Sequence, residues 1–326
     1  MASNLETTEK IRQCLVIFVY AVYYLFLLAP YHYGKAIYKA LVPDEPKNVN
    51  GEIVLITGTG HGMGRLLALK YAKAGATVVG WDINEHLNNQ TIQEIKKMGY
   101  TRVYGYKCDV SDRANVFEVA KRVENEVGNV TILINNAGIM PSHSFLEHTE
   151  DEIRRIININ VMGNFWTLQA FLPTMKRNNH GHVVALSSIA GCIGCTNLVP
   201  YNASKFAVKG LMEGLYEEFR RYPKNQVEFT TIYPFMVDTG LCKNYEITAD
   251  FIMPMAKAEE VVNEIFNAQT RNIRHIIVPT YMTGLIDLFT KYWPREVTNH
   301  ARDTFRAELK SDLEIVTNGN SIKKHS

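Results

Sequence analysis

From Gly51 onward the chain repeats one pattern: a short apolar run closed by turn residues, then a longer stretch whose apolar positions recur at helical spacing. The runs are EIVLITG (52–58), TVVGWD (77–82), VYGYKCD (103–109), VTILINNAG (130–138), HVVALSS (182–188), VEFTTIYP (227–234) and HIIVP (275–279). Strands that are apolar on both faces, rather than alternating, belong to a parallel sheet covered by helices on each side. The pattern predicts a doubly wound α/β fold in a single domain over 51–300, including its C-terminal elements. No internal repeat interrupts it. Residues 301–326 read as a C-terminal tail whose end, GNSIKKHS, has the character of a disordered terminus.

The N-terminus follows another rule. Cys14 to Pro30 read CLVIFVYAVYYLFLLAP, without a charge and with bulky apolar side chains all round. A helix exposed to water does not carry such a surface. The run is just shorter than the roughly 20 residues that span a bilayer core, so a tilted span and a monotopic segment both fit. Its exit, LLAPYHYGK, lacks a small-x-small cleavage site, which makes the N-terminal segment 1–30 an uncleaved hydrophobic anchor. The rival reading is a buried core helix, for which a position ahead of the first domain element leaves few packing partners. Lys10 and Arg12 precede the run and Lys35 and Lys39 follow it, so the positive-inside rule assigns no orientation. Residues 31–50 mix aromatics with lysines, Pro43 and Pro46 and read as a linker near a charged surface.

Composition narrows the functional classes. The 326 residues are 46% hydrophobic and 21% charged, as in an ordinary globular chain. Lys and Arg number 35 against 33 Asp and Glu, and the net charge of +2 is too weak a field to hold a phosphate backbone. No nucleic acid partner is expected. Five cysteines, an odd number spread from Cys14 to Cys242, make no fully paired disulfide framework and suit a reducing compartment. Cys192-Ile193-Gly194-Cys195 has metal-like spacing, but without a second pair or a histidine cluster it reads as small residues in a tight loop. No metal is expected. Histidines such as His61, His180 and His182 read as polar loop residues. The segment 282–293, apolar on one side with aromatic ends, suits a membrane surface, the domain itself or a second subunit equally well.

Two constellations carry chemistry. The first strand runs into Thr57-Gly58-Thr59-Gly60-His61-Gly62-Met63-Gly64, and an amphipathic helix ending at Gly75 follows. Glycines at 58, 62 and 64 allow a pyrophosphate to approach backbone N–H groups at a helix N-terminus. Asp82 then closes the second strand, where a carboxylate accepts both hydroxyls of an adenosine ribose and repels a 2′-phosphate. The cofactor expected is NAD. Further on, Tyr201 and Lys205 stand four residues apart on one helix face, behind Ser188 at the end of a strand. A phenol, with a reference pKa of about 10, needs a nearby cation before it serves as a base.

Together TGTGHGMG (57–64), Asp82, Asp109-Val110, NNAG (135–138), Asn160 within NINVMG, Ser188, Tyr201 and Lys205 resemble the short-chain dehydrogenase/reductase family in its classical form, over about residues 50 to 240. The resemblance implies a Rossmann-type fold and an NAD-dependent alcohol dehydrogenase. It implies Tyr201 as acid/base, Lys205 lowering its pKa and holding the ribose, Ser188 polarising the substrate oxygen, and Asn160 supporting a proton relay. It places Asp109 and Val110 at the adenine, with Gly58, Gly62, Met63, Gly64, Asn136, Ala137, Gly138, Pro234 and Thr239 also along the cofactor. Pro234-Phe235 stands where the family usually has Pro-Gly, a departure that bears on the local shape of the nicotinamide pocket and leaves the chemistry alone.

GEIVLITGTGHGMGR, VVGWDIN, VTILINNAG, FWTLQAFLPTM and NNHGHVV are similar to a membrane-associated branch containing epidermal retinol dehydrogenase and the lipid-droplet 17-beta-hydroxysteroid dehydrogenases. That branch also has an apolar N-terminal segment and replaces the Pro-Gly. It implies lipophilic alcohols or carbonyls of the retinoid or 17-beta-hydroxysteroid class. Met140, Ile193 and Phe235, with Met236, Phe251, Ile252, Met253 and Met255, fall in loops after strands, where ligands sit in open α/β sheets. They are candidate substrate contacts, with core or lid packing an equal reading of each. The expected partners are a lipophilic small molecule, a membrane or lipid-droplet surface, and a second copy of the chain in a homodimer. The expected location is the endoplasmic reticulum membrane or a lipid droplet, with the catalytic domain facing the cytosol. Sequons begin at Asn89, Asn129 and Asn202, and a lumenal glycan on Asn202 would fall between Tyr201 and Lys205. The rival class of function is a non-catalytic lipid-droplet or membrane protein using the fold as a binding module.

Overall fold

The structure, a computed structural model, describes residues 2–241, 245–247, 254–305, 307–309 and 311–312. The chain divides into two units, Met1–Pro46 and Lys47–Ser326. The first is helical: α1 (Ala2–Tyr23), a π-turn (Tyr24–Leu28) and α2 (Ala29–Leu41). Pro30 has no N–H to offer the preceding turn, and the wider π-turn just ahead of it, closed by Ala29 N–H on the Tyr24 carbonyl, absorbs that loss without ending the helix. The helix therefore continues as far as Leu41, through much of the stretch read as a linker. Glu6–Lys39 is long and apolar enough to cross a membrane, with a mean hydropathy of 2.1 over its most apolar window and none of that window buried.

The second unit is built on a seven-stranded sheet, parallel throughout: β1 (Ile53–Thr57), β2 (Thr77–Asp82), β3 (Val103–Lys107), β4 (Ile132–Asn135), β5 (Gly181–Leu186), β6 (Val227–Pro234) and a last strand, His275–Val278. All seven apolar runs are strands. Their order across the sheet is the last strand, β6, β5, β4, β1, β2, β3. The chain builds outward from β1 to β3 and then returns to the other side of β1. The crevice for a ligand opens where β1 and β4 diverge.

Both faces are covered, which is why the strands do not alternate. Against one face α3 (Gly62–Lys73), α4 (Glu85–Lys97) and α9 (Ala258–Thr270) bury Leu67, Tyr71, Ile95 and Ile265 on Val54, Ile56 and Val78. Against the other, α5 (Arg113–Glu126), α7 (Gly163–Asn178) and α8 (Val199–Phe219) bury Val116, Phe171 and Met212 on Leu55, Val79 and Trp81. A short α6 (Glu150–Ile157) and a π-turn (Asn158–Met162) lead into α7. The unit begins a few residues before Gly51, because Lys47 N–H bonds the Thr270 carbonyl at 2.8 Å and Val49 is buried in the core. In the segment 282–293, Met282 and Ile286 pack on the domain beside Ile189, Tyr233 and Ile277. Phe251, Ile252, Met253, Cys242 and the tail beyond residue 312 lie outside the described residues.

Candidate active site

The turn after β1 is shaped by contacts that exclude side chains. Gly58 has φ +75°, and a β-carbon at Gly64 would lie 1.9 Å from the Gly58 carbonyl oxygen. The start of α3 is thereby pressed against the end of β1, with its first N–H groups facing the crevice. The end of β4 locks this turn. Asn136 Nδ2 donates to the Thr57 and Gly58 carbonyls at 2.8 and 3.2 Å, while Thr57 Oγ1 accepts from Asn136 N and Ala137 N at 3.0 Å each.

Asp82 closes β2 beside the same turn. Its Oδ2 accepts Gly60 N–H and its Oδ1 accepts Asn84 N–H, both at 2.8 Å. The carboxylate is aimed before any ligand arrives, and each oxygen keeps acceptor capacity. Arg65, which could otherwise neutralise it, forms a two-pronged pair with Glu94, at 2.9 Å from Nε to Oε2 and 2.5 Å from NH2 to Oε1. Beneath the turn, Thr59 Oγ1 donates to Asn88 Oδ1 at 2.7 Å, and Asn88 Nδ2 reaches the Gly80 and Tyr106 carbonyls. Gly58, Gly62, Met63, Gly64, Asp82, Asp109, Val110, Asn136, Ala137, Gly138 and Thr239 all line this first cleft, as do His61, read from the sequence as a polar loop residue only, and Ile83, Arg155 and Ile159, which were not singled out. Asn88 carried a readable signal, a polar residue in register with the buried Ile92 and Ile95 of α4.

Ser188 follows β5 and is 9% exposed; its Oγ accepts Ala190 N–H at 3.2 Å and faces the Pro234 carbonyl. On α8, Tyr201 and Lys205 are both buried, and Lys205 Nζ lies 5.5 Å from the centre of the Tyr201 ring. The ammonium donates to the Leu186 carbonyl at 2.8 Å. Burial pushes its pKa down to about 8. Asn160 sits in the π-turn before α7 with its amide fully engaged. Its Nδ2 donates to the Ile139 carbonyl and Ser204 Oγ, and its Oδ1 accepts Ile139 N–H. Asn160 thus ties the loop after β4 to α8. A β-carbon at Gly138 would meet Asn160 Oδ1 at 3.3 Å and Lys205 Nζ at 3.6 Å, so the gap in front of both depends on a glycine. Asn202, between Tyr201 and Lys205, donates from Nδ2 to the Cys195 carbonyl at 2.9 Å, and its Oδ1 is buried.

Ser188, Tyr201, Lys205 and Pro234 line a second cleft that shares Met63, Asn136, Gly138 and Thr239 with the first. It holds about 1020 Å³ of unfilled space, counting its open mouth. Met140, Ile193, Phe235 and Met236 form its apolar wall together with Leu198 and Cys195, which sequence reasoning missed as wall residues. Met255 packs against the group containing Tyr201 and Met236. Cys192 and Cys195 are free, and burial pushes the Cys195 thiol up to about 11.

The sequence model of the short chain dehydrogenase family matches residues 52–249. Epidermal retinol dehydrogenase 2 of Mus musculus is 40% identical over 74% of this chain and 78% of its own length. The human 17-beta-hydroxysteroid dehydrogenase 13 is 35% identical over 84% and 90%. A solved short-chain dehydrogenase/reductase of Burkholderia phymatum, in complex with NAD, superposes with a TM-score of 0.67 at 26% identity, covering 74% of this chain and 93% of that one. With a parallel doubly wound sheet and two clefts meeting at its switch point, the chain belongs to the short-chain dehydrogenase/reductase family, in its retinol and steroid dehydrogenase branch, and is an oxidoreductase of the alcohol dehydrogenase type with a nicotinamide cofactor.

Proposed function

We propose that the protein transfers hydride between NAD(H) and a lipophilic alcohol or carbonyl, of the retinoid or 17-beta-hydroxysteroid class, at a membrane or lipid-droplet surface. The observation that carries this reading is the junction of the clefts. A buried ammonium and a phenol stand where a polar, glycine-walled cleft opens into an apolar one. The first cleft fits a dinucleotide: Gly64, where a β-carbon would collide with the Gly58 carbonyl, lets the helix start close up to the turn, its N–H groups face a pyrophosphate, and Asp82 presents two aligned acceptors to a ribose. Arg65 is held by Glu94 and does not offset the repulsion of a 2′-phosphate by Asp82, which favours NAD over NADP.

When bound, the nicotinamide cofactor supplies or takes the hydride. Tyr201 takes the hydroxyl proton of the alcohol, or returns it to the carbonyl oxygen. Lys205 keeps a positive charge beside the phenol, the electrostatic condition for that oxygen to exchange a proton. Ser188 Oγ, its position set by Ala190 N–H, holds the substrate oxygen. Asn160 supports the relay indirectly, by holding Ile139 and Ser204 in place behind Lys205 and Tyr201. Met140, Ile193 and Phe235 desolvate the hydrocarbon part of the substrate. The apolar helix Glu6–Lys39 supplies the membrane attachment from which such substrates are drawn. Turnover of retinols, 17-beta-hydroxysteroids and fatty alcohols by the full chain, with NAD and with NADP, tests the reading. Activity restricted to small water-soluble alcohols, or higher kcat/KM with NADP, overturns it.

A further inference from the structure

Fourteen residues of loop and turn connect β4 to α6, and this loop carries Met140 into the wall of the apolar cleft. It also gathers His143, His148 and Glu152, whose donor atoms all lie within 4.8 Å of one another. We propose that these three residues bind a divalent transition-metal ion, zinc(II) first among them, which clamps the loop beside the substrate cleft.

The argument begins with unmet bonding. The His148 side chain has no solvent exposure and that of His143 is 7% exposed. Yet both ring nitrogens of His148, and Nδ1 of His143, are buried without a hydrogen-bond partner. Buried polar atoms rarely stand alone, since each loses its hydration without return. The two rings lie 5.0 Å apart, centre to centre, so the unpartnered His148 imidazole has a second imidazole beside it, whose Nε2 is the nitrogen on the Glu152 side.

Geometry points the same way. His143 Nε2 is 3.4 Å from Glu152 Oε1, and His148 Nδ1 is 3.7 Å from Glu152 Oε2. Both separations are too long for good hydrogen bonds. They approach the roughly 3.4 Å edge of a tetrahedron built from metal–ligand bonds of about 2.0–2.1 Å, and the group, whose donor atoms lie within 4.8 Å of one another, would draw in around an ion. Thr149 N–H donates to Glu152 Oε2 at 3.0 Å and fixes the carboxylate beside the two rings. Two imidazoles and one carboxylate suit zinc and its first-row neighbours, with a fourth position left for water. Glu152 is 35% exposed and provides the way in.

Second-sphere bonds fix the cluster. Thr149 and Glu152 form a reciprocal cap at the start of α6. His143 N–H bonds the Asn197 carbonyl at 3.0 Å, just before the helix that bears Tyr201. An ion here would therefore stiffen one wall of the substrate cleft without touching the reacting groups. Cys192 and Cys195 take no part in the cluster, and the two histidines of this set stand five residues apart in a loop, a spacing without a cysteine pair beside it.

The test uses the full chain in detergent or vesicles, with zinc alone as the probe. About one equivalent of zinc should remain after gel filtration, and zinc should raise Tm in a manner reversed by a chelator. Glu152→Gln keeps an acceptor for Thr149 N–H, so its metal-free Tm should stay near that of the unaltered chain while zinc affinity falls about tenfold or more. His148→Gln should lose affinity by a similar factor. His180→Gln, at the surface pair with Glu52, should change nothing. No response of the unaltered chain to zinc, or undiminished affinity in either Glu152→Gln or His148→Gln, overturns the proposal.

Discussion

The two clefts that meet at Tyr201 are held in opposite ways. Around the cofactor cleft, Asn136, Thr57, Asp82, Thr59 and Asn88 all bond backbone or one another, so the surface is set by directional contacts that exist without a ligand. Around the substrate cleft, Met140, Ile193, Phe235 and Met236 offer shape alone. Methionine adapts to irregular contacts at little cost, and apolar walls discriminate among ligands by only modest factors. On the proposed function, the same fold combines a rigid surface for the dinucleotide with a compliant one for a lipophilic substrate.

The sharpest break in this comparison is at the junction. Tyr201→Phe removes one oxygen, and turnover should fall by at least about 10²-fold while NADH still binds by fluorescence titration. Near-normal turnover would leave the junction without chemistry.

Lys205 offers a second test, in stability. Its folded pKa, about 8, lies below the unfolded value, so the unfolded chain holds more protons in the interval between them. The penalty of burying the ammonium is fully present below about pH 8 and vanishes above the unfolded value. Denaturant unfolding should therefore show stability rising by about 1 kcal/mol per pH unit across that interval. Lys205→Met should flatten this slope, and an unchanged slope would assign the pH dependence to other groups.

On the rigid side, Asp82→Asn should shift the kcat/KM ratio from NAD toward NADP by about tenfold, the scale of one removed charge repulsion near a surface. An unchanged ratio would move cofactor choice away from β2. On the compliant side, Phe235→Ala should alter KM by less than about tenfold and by different amounts for different alcohols. A uniform loss across all of them would mean that Phe235 supports the fold rather than reads the substrate.

The strands were legible because continuous apolar runs carry their own boundaries, and the glycine turn because its residue types admit few alternatives. The grouping of Tyr201, Lys205 and Ser188 followed from helical spacing and one strand end. Arg65 with Glu94, and Thr59 with Asn88, pair across 29 residues and have no short-range signature. The helix that continues to Leu41 was hidden by Pro30, since a π-turn that tolerates proline leaves no mark in residue type. Phe235, Met140 and Ile193 could be named as wall residues only because loops after parallel strands meet at one edge.

One bond described above bears on how the chain can be followed in a cell. Asn202 begins a glycosylation sequon, yet its amide is turned inward against the Cys195 carbonyl with its oxygen buried, whereas Asn89 and Asn129 stand at the surface. In the folded domain the Asn202 amide nitrogen is engaged and the residue half-buried, so the three sequons report on different things. Sugar at Asn89 or Asn129 records the compartment that the domain has entered. Sugar at Asn202 records that the chain was there before α8 had closed on its loop, and marks molecules that failed to mature.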